Sequence, residues 1–460
     1  MVHRIKVAFV NQGWDTISPP VSAASIPIWT YETAKRLAQD CKVVIYSRRN
    51  ADQAAVETYE DIEYRRVSVG GSKLSNGSAK LFSKLFTSFR YLSSQVYYLP
   101  YALRVALDLR QQQCDIVHIH NFSQFVPVIR AFNPQVKIVL HMHCEWLSQF
   151  DRAVLASRLA QVDLITSCSD YITDKIKARF PEVAARCQTV YNGVDTQQFA
   201  EAQAIAQQAA LQATENAQAA PNLLFVGRVS PEKGLHTLIS AFTEVADKFP
   251  AAQLFVIGSQ KQITSEFVID ANEDPLVKNL AVFNSVNYLQ HLKNQLPSDI
   301  ADRVIFTGQI SHLELQEYFQ RADILINPSV SEAFGMSLVE AMATSTPTIG
   351  TAVGGMPEIV RHGETGLIVP SERPAAMADA ITQLLLNQPL RAKMGEAGRA
   401  RAVETFSWQA IATVLSSQYR QLLSTEKPSD PPALSGRRRR TLKASRSPQP
   451  SAQTVAGSAL

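Results

Sequence analysis

Short apolar runs rich in β-branched residues alternate with helical patterns along most of the chain, and this alternation limits the folds open to it. In the first half these runs include IKVAFVN at 5–11, DIVHIH at 115–120 and VKIVLHMH at 136–143. In the second half they include NLLFVGRV at 222–229 and ADILINPS at 322–329. Parallel strands that are joined by crossover helices and buried on both faces have this pattern. We therefore predict an α/β fold with parallel sheets.

The alternation stops near residues 195–222 and then restarts. Residues 200–220 are rich in alanine and glutamine and carry few large apolar side chains, which favours a linker or an exposed helix. A chain of 460 residues is also too long for one hydrophobic core. We expect two α/β halves, with a ligand cleft between them at the carboxyl ends of the strands.

The net charge of +4 comes from the end of the chain. Residues 426–460 hold seven Lys or Arg against two Asp or Glu, so this segment carries +5 and the rest of the chain −1. The segment is rich in Ser, Pro and Arg and has no apolar period, so we predict a disordered tail. A solvated tail is the commonest outcome for such a segment, and anionic lipid is an alternative partner. Zinc-finger and RNP-like motifs are missing, so no nucleic-acid partner is expected.

Other compositional features point to a cytoplasmic protein. No apolar run reaches the roughly 18 residues that suggest a membrane span, and the first residues lack the pattern of a secretory signal. The five cysteines are scattered without a CxxC pair, which favours reduced thiols over disulfides or a zinc site. Peripheral contact with the inner face of a membrane is a second hypothesis. It rests on the segment 80–101, whose apolar residues share one helical face, although a core-facing helix has the same pattern.

Two carboxylates flank a predicted helix start in SVSEAFGMSLVEAMATSTPTIG, residues 329–350. Glu332 precedes the start near Gly335, and Glu340 lies one turn inside the helix, on the face of Met336. A helix start offers free N–H groups to a phosphate, and carboxylates accept hydrogen bonds from sugar hydroxyls. Taken alone, the simpler interpretation is a helix-start charge at Glu332 and a solvated Glu340.

A second stretch, LLFVGRVSPEKGLHTLISAF at 223–242, places two cations and two glycines at a strand-to-helix turn. Arg228 and Lys233 could cradle a phosphate there, although the spacing is not that of a Walker A loop. The alternative is a surface loop with ordinary basic residues. That alternative is weaker because this loop and the Glu332 loop both follow strands of the same predicted sheet.

These stretches, with three others, resemble family-four retaining glycosyltransferases. The matching segments are FVGRVSPEKG at 225–234, NPSVSEAFGMSLVEAMATSTPTIGTAVGGMPEIV at 327–360, HGETGLIVP at 362–370, YNGVDTQQF at 191–199 and DLITSCSDYI at 163–172. The resemblance covers about residues 160–420 and is most specific in the second half.

The resemblance implies the GT-B fold, in which two Rossmann-like domains face each other across a cleft. Residues 1–195 would form the acceptor-binding domain, 196–221 the Ala/Gln-rich linker and 222–405 the nucleotide-sugar-binding domain. A helix over 406–424 would cross back to the first domain, ahead of the 426–460 tail.

The resemblance also implies roles for individual residues. Arg228 and Lys233 would bind the diphosphate, Glu332 the donor sugar and Glu340 the ribose. The other predicted donor-binding residues are Gly227, Phe334, Gly335, Met336 and Ser337. The backbone of residues 334–337 would contact the phosphate and the sugar.

The first half matches the family less closely. Ala23, Ala24 and Ser25 stand where the family often has a glycine pair. His143, at the end of the strand in VLHMHCEWL, matches the family's strand-plus-histidine segment and is our candidate catalytic histidine. A lone histidine is more often structural than catalytic. His118 and His120 also lie at a strand end, so the residues alone do not show which of the three histidines is catalytic.

The implied activity is sugar transfer from a nucleoside-diphosphate sugar with retention at the anomeric carbon, without a cofactor. No DxD-type motif is present, so no metal is expected. The loops near 12–30, 70–100 and 143–150 are aromatic and not densely basic, which favours a glycan or lipid-linked acceptor, as in cell-surface polysaccharide or glycolipid synthesis. The alternatives are a nucleotide-sugar epimerase of the same fold and a catalytically silent scaffold.

Overall fold

The computed structural model describes residues 4–21, 24–69, 94, 96–198, 220–260, 269 and 272–424. Most of the proposed linker at 196–221, most of the apolar segment at 80–101 and the 426–460 tail lie outside these residues. In the described part of the chain no helix is both long and apolar enough to cross a membrane.

The first half builds an eight-stranded sheet in the order β3-β4-β2-β1-β5-β6-β7-β8. All neighbours pair in parallel except β3 with β4. The strands are β1 Lys6–Val10, β2 Lys42–Arg48, β3 Val56–Tyr59, β4 Ile62–Val67, β5 Ile116–His120, β6 Lys137–Met142, β7 Leu164–Ser167 and β8 Cys187–Thr189. The accompanying helices are α1 Ser25–Leu37, α2 Leu99–Gln112, α3 Phe125–Phe132, α4 Trp146–Gln149, α5 Arg152–Leu159 and α6 Asp170–Arg179, followed by the 3-10 turn Pro181–Arg186.

The second half builds a six-stranded, all-parallel sheet in the order β11-β10-β9-β12-β13-β14. Its strands are β9 Asn222–Val226, β10 Gln253–Ile257, β11 Val304–Gly308, β12 Ile324–Asn327, β13 Thr348–Thr351 and β14 Gly366–Val369. Its helices are α7 Leu235–Lys248, α8 Pro275–Asn279, α9 Tyr288–Gln295, α10 His312–Arg321, α11 Met336–Ala343, α12 Met356–Ile359, α13 Pro374–Leu386 and α14 Gln388–Phe406. Short 3-10 turns occupy Pro231–Lys233, Leu280–Phe283 and Ala301–Arg303.

The last helix, α15 (Trp408–Ser424), packs on the first sheet, as predicted. Its buried residues Leu415 and Tyr419 share a core with Phe9 of β1. The helix begins at Trp408 and not at 406, because Ser407 is extended (ψ 144°) and forms a bridge with Val194. Phe406 therefore ends the preceding helix.

The two halves also meet through an aromatic cluster and a capping carboxylate. The rings of Tyr191, Phe334 and Phe406 lie 5.3–5.9 Å apart, measured between centroids. From the second half, the carboxylate of Glu358 accepts hydrogen bonds from the backbone N–H groups of Asp170 and Tyr171, both at 2.6 Å, at the start of α6. A carboxylate at a helix N-terminus is stabilised by the unpaired N–H groups there, so this contact holds the halves together.

The segment between β10 and β11 contains the extra helices α8 and α9. Val277 and Leu280 bury against Val330, which lies in the loop after β12. Tyr288 of α9 hydrogen-bonds through its hydroxyl to Nδ1 of His236, at 2.7 Å. The insertion therefore supports the two loops that carry Lys233 and Glu332.

The packing of α15 on the first sheet predicts an asymmetric response to two adjacent truncations. Leu415 is fully buried, so Leu415→Ala should lower the free energy of unfolding by about 2–5 kcal/mol. Val414 is 44% exposed, so Val414→Ala should change it by no more than about 0.5 kcal/mol. Urea denaturation followed by circular dichroism measures both. Equal losses would contradict this packing.

Candidate active site

An ion pair joins the loop after β9 to the loop after β12. Nζ of Lys233 lies 2.6 Å from a carboxylate oxygen of Glu332, and both side chains are largely buried. The backbone reinforces the contact, since the N–H of Val330 donates to the carbonyl of Glu232 at 2.9 Å. The structure thus brings together two side chains that the sequence places 99 residues apart.

Two glycines, one just after the Lys233 turn and one in the loop after β13, allow backbone segments to approach closely around this ion pair. Gly234 has φ +66°, and a Cβ there would lie 2.0 Å from the carbonyl oxygen of Pro328. Gly354 has φ +55°, and a Cβ there would lie 1.6 Å from the carbonyl oxygen of Glu332. Larger residues would force both backbones apart, so glycine is required for the geometry of the pair.

Glu332 is ionised despite its burial. Burial opposes ionisation, but the charge of Lys233, together with hydrogen bonds from Lys233, Asn327 and the Phe334 backbone, holds the pKa of Glu332 below its usual value. The carboxylate and the ammonium therefore form a fixed charge pair at this edge of the sheet.

Arg228 is paired with an acidic side chain of its own loop. Its guanidinium lies 3.1 Å from the carboxylate of Glu232, which also accepts a hydrogen bond from Ser230. Gly227, just before it, packs tightly: a Cβ on the neighbouring Gly258 would lie 1.9 Å from the Gly227 carbonyl oxygen. The Arg228 side chain is 38% exposed, so it remains accessible to a ligand.

The start of α11 follows the Glu332 loop directly, as predicted. Gly335 precedes the helix with φ +119°, and Met336 is its first residue. The hydroxyl of Ser337 accepts a hydrogen bond from Asn327 at 3.3 Å, and the ring of Phe334 packs in the aromatic cluster between the halves. The side chains of Phe334 and Ser337 are thus used internally, and the Phe334 backbone already donates to the Glu332 carboxylate. The backbone N–H groups of Met336 and Ser337, in the first turn of the helix, remain for a ligand.

Glu340 is not the solvated residue of the simpler interpretation. It lines a cavity of about 390 Å³ between the halves, together with Met336 of the same helix. From the first half come Trp29 of α1 and Asn192, among others. Burial raises the pKa of Glu340 to about 7, so this carboxyl group changes charge near neutral pH.

Four histidines at the carboxyl ends of β5 and β6 pack together, three of them buried and His143 partly exposed, and we call them the histidine cluster. It comprises His118, His120, His141 and His143. Trp29 lies among them, with its ring centroid 4.7–5.7 Å from each. The cluster forms because His120 and His141 are partners in the parallel register and residues two apart on a strand share a face.

Within the cluster the histidines have distinct partners. Nδ1 of His118 lies 2.7 Å from the hydroxyl of Tyr419, and Nδ1 of His141 lies 2.9 Å from that of Thr166. His143 is only partly buried by surface area, and its backbone N–H donates to Asn121 at 2.7 Å. Burial lowers the pKa of His143 to about 3, although a hydrogen bond with the Asn192 side chain acts to raise it. The ring is therefore neutral at physiological pH.

Several participants could not be identified from the sequence. Apart from matching family motifs, the sequence gave no indication of the roles of Asn192, the Glu358 cap or the Tyr191–Phe406 contact. Each of these depends on contacts with residues that are distant in sequence. The signal for the histidine cluster was present. The HxH spacing in both DIVHIH and VLHMH predicts side chains on one face of adjacent strands.

The raised pKa of Glu340 predicts a pH-dependent stability. A carboxyl group whose pKa rises from 4.5 to about 7 on folding favours the folded state at low pH, and this contribution is lost as pH rises through 7. Glu340→Gln removes the titration. The melting temperature of the wild type should therefore fall relative to that of Glu340→Gln between pH 4.5 and pH 7, and parallel curves would contradict this.

Comparison with known proteins matches both halves of the chain. The family model described as Glycosyltransferase Family 4 matches residues 27–198, and the one described as Glycosyl transferases group 1 matches residues 207–401. The putative glycosyltransferase YtcC of Bacillus subtilis (strain 168) is 29% identical over 339 residues, which is 72% of this chain and 79% of the relative.

Solved structures share the fold. Sucrose-phosphate synthase from Thermosynechococcus elongatus aligns with a TM-score of 0.65 and 22% identity, over 92% of this chain and 100% of that one. HepE from Anabaena, solved in complex with UDP-glucose, aligns with a TM-score of 0.59 and 17% identity, over 91% of this chain and 100% of that one. These neighbours have the GT-B fold. The chain belongs to the family of glycosyltransferases described as group 1 and family 4.

Proposed function

We propose that the protein transfers a sugar from a nucleoside-diphosphate sugar to a glycan or lipid-linked acceptor, with retention at the anomeric carbon. The observation that carries this proposal is the Lys233–Glu332 pair beside the start of α11. It sets a cation, a carboxylate and free backbone N–H groups side by side, which is what a diphosphate linked to a sugar requires.

In this proposal the diphosphate binds at the start of α11 and is stabilised by Lys233 and Arg228. Departure of the nucleoside diphosphate develops negative charge, and preorganised donors stabilise it without reorganisation. Glu332 binds hydroxyls of the donor sugar, while Glu340 lies one turn further on and binds the ribose. The complex of HepE with UDP-glucose supports a uridine nucleotide as the donor.

His143 contributes as a hydrogen-bonding group and not as a proton acceptor. With a pKa of about 3 its ring is too weak a base to take a proton from the acceptor at neutral pH. A front-side displacement fits this better. The bond from the anomeric carbon to the diphosphate breaks, the acceptor oxygen bonds to the same face, and its proton passes to the leaving phosphate oxygen.

A second cavity between the halves suits a polar acceptor. Its volume is about 440 Å³, within the usual range for ligand sites. It begins at Glu145, two residues after His143, and continues to Asn272 and Glu273 of the insertion. Lys175, paired with Glu145 at 2.6 Å, and Arg179 balance the two acidic side chains. A charge-balanced lining favours sugar hydroxyls over a highly phosphorylated acceptor.

We infer metal-independent transfer because the described side chains already provide the positive charge for the leaving group. A direct test is calorimetry with UDP and GDP, with and without EDTA. Binding that survives EDTA supports the inference, and loss of binding in EDTA contradicts it.

Removal of Lys233 should impair chemistry more than folding. Lys233→Met should lower kcat about 10²–10³-fold, because one preorganised donor to the leaving group is lost. Glu332→Gln should also reduce transfer, through weaker positioning of the donor sugar. Since the two side chains contact each other, the double variant should lose less than the two single effects combined.

Lys248→Met is the matched control, because Lys248 is exposed at the end of α7. It should keep wild-type kcat. Steady-state transfer rates, with circular dichroism to check folding, measure all four variants. Near-wild-type turnover in Lys233→Met would show that the site is misplaced.

A panel of labelled UDP- and GDP-sugars against lipid-linked, oligosaccharide and sugar-phosphate acceptors tests the function as a whole. Transfer to glycan or lipid-linked acceptors with retained anomeric configuration is the expected result. Interconversion of the nucleotide sugar without an acceptor would indicate an epimerase, and the lack of any product would indicate a scaffold. Efficient transfer to sugar phosphates alone would overturn the acceptor assignment.

A further inference from the structure

A chain of hydrogen bonds leads from the backbone of β2 to the ring of His143. Nε2 of His143 lies 3.0 Å from Nδ1 of His120, and Nε2 of His120 lies 3.1 Å from the hydroxyl of Thr30 on α1. That hydroxyl lies 3.0 Å from Oδ1 of Asn11. We call the series Asn11, Thr30 and His120 the relay. His120 and Thr30 are fully buried, so bulk water does not compete for these bonds.

The direction of the relay is set at its far end. The side-chain amide nitrogen of Asn11 donates to the carbonyl oxygen of Tyr46, at 3.3 Å. A carbonyl oxygen only accepts hydrogen bonds, so the amide group of Asn11 has a defined orientation. Its Oδ1 must then face Thr30, and it can only accept.

The hydroxyl of Thr30 then determines which atom donates in its hydrogen bond with His120. Its single hydroxyl proton has two pure acceptors within reach, Oδ1 of Asn11 at 3.0 Å and the carbonyl oxygen of Ile26 at 2.9 Å. Whichever of them receives the proton, the Thr30 oxygen then accepts from Nε2–H of His120. If Thr30 donated to His120 instead, its lone pairs would face two oxygens without an intervening proton, and burial makes such unsatisfied contacts costly.

The proton positions on both rings follow. A neutral imidazole with its proton on Nε2 has a bare Nδ1, so Nδ1 of His120 accepts and Nε2–H of His143 donates to it. His118 and His141 do not interfere, because Nδ1 of each pairs with a different hydroxyl, that of Tyr419 or that of Thr166.

Asn192 competes for the proton of His143, since its side chain hydrogen-bonds that ring and its Oδ1 has no other partner within the described residues. The relay prevails because the opposite arrangement leaves two oxygens facing the Thr30 oxygen without a proton, against one unpaired oxygen at Asn192.

We propose that the relay is a positioning device that holds His143 as the neutral Nε2–H tautomer, with a bare Nδ1 as hydrogen-bond acceptor for a hydroxyl of the bound substrate. The tautomer follows from the hydrogen-bond geometry, and its use toward a substrate rests on the proposed function. Asn11, Thr30 and His120 are thereby assigned as positioning residues.

Nuclear magnetic resonance tests the tautomer without any substrate. Long-range ¹H–¹⁵N correlation spectra of the full chain, labelled with ¹⁵N in histidine only, distinguish protonated from bare ring nitrogens. The signals of His143 are those lost in His143→Asn. We expect one protonated nitrogen that couples to both ring carbon protons, which identifies Nε2–H. A protonated Nδ1 in the wild type would overturn the proposal.

Two isosteric variants on α1 test the relay itself. Thr30→Val removes the acceptor for His120 and should shift His143 to a mixture of tautomers, with kcat reduced about tenfold, the equivalent of one hydrogen bond. KM for the donor should change little. Thr30→Ser restores the hydroxyl and should restore both the spectrum and kcat.

Thr33→Val is the matched control. Thr33 is also buried on α1, but its hydroxyl has no hydrogen-bond partner within the described residues. It should keep the wild-type tautomer and kcat. Thr30→Val with an unchanged His143 spectrum would overturn the relay even if activity fell. The expected spectra in an enzyme that transfers no sugar would leave the relay in place and overturn the proposed function.

Discussion

Parallel pairing of adjacent strands is the constraint on which the candidate site depends. Neighbouring parallel strands end at the same edge of a sheet, so the loops that follow them are brought together. β9 pairs with β12, and this places Lys233 beside Glu332. β5 pairs with β6, and this forms the histidine cluster. Both groups lie at carboxyl ends of strands, the edge at which open α/β sheets bind ligands.

The charged groups at this edge differ in how far they are already paired. Lys233 lies against Glu332, and its charge helps to hold the pKa of Glu332 below its usual value in a largely buried position. Arg228 is paired with Glu232 but remains partly exposed. Glu340 has no compensating charge among the causes of its raised pKa, which is due to burial alone. A bound ligand that donates hydrogen bonds would therefore stabilise the ionised form of Glu340 more than it would that of Glu332.

Contacts between the two halves hold the first half against this edge of the second sheet. The aromatic cluster of Tyr191, Phe334 and Phe406 joins the end of the first half to the start of α11 and the end of α14. Glu358 adds a directional contact, since its carboxylate caps α6 across the interface. Such a cap is effective only when the halves are close together, so its formation and the shape of the cavities beside it are linked.

Local pattern alone determined much of the fold, because strand and helix periodicity depend on neighbouring residues. The two α/β halves and the helix starting after Gly335 could be predicted this way, whereas the helix that crosses back was implied by the family resemblance. Residue type and spacing also indicated Lys233 and Glu332, since glycines and charges at strand-to-helix turns are typical of phosphate-binding loops. Only the tertiary structure decided that Lys233 pairs with Glu332 and that Arg228 pairs with Glu232. It also decided that Glu340 lines a cavity between the halves and that the ring of His143 contacts that of His120. Each of these depends on packing between segments far apart in the chain, and a periodic pattern carries no information about such partners.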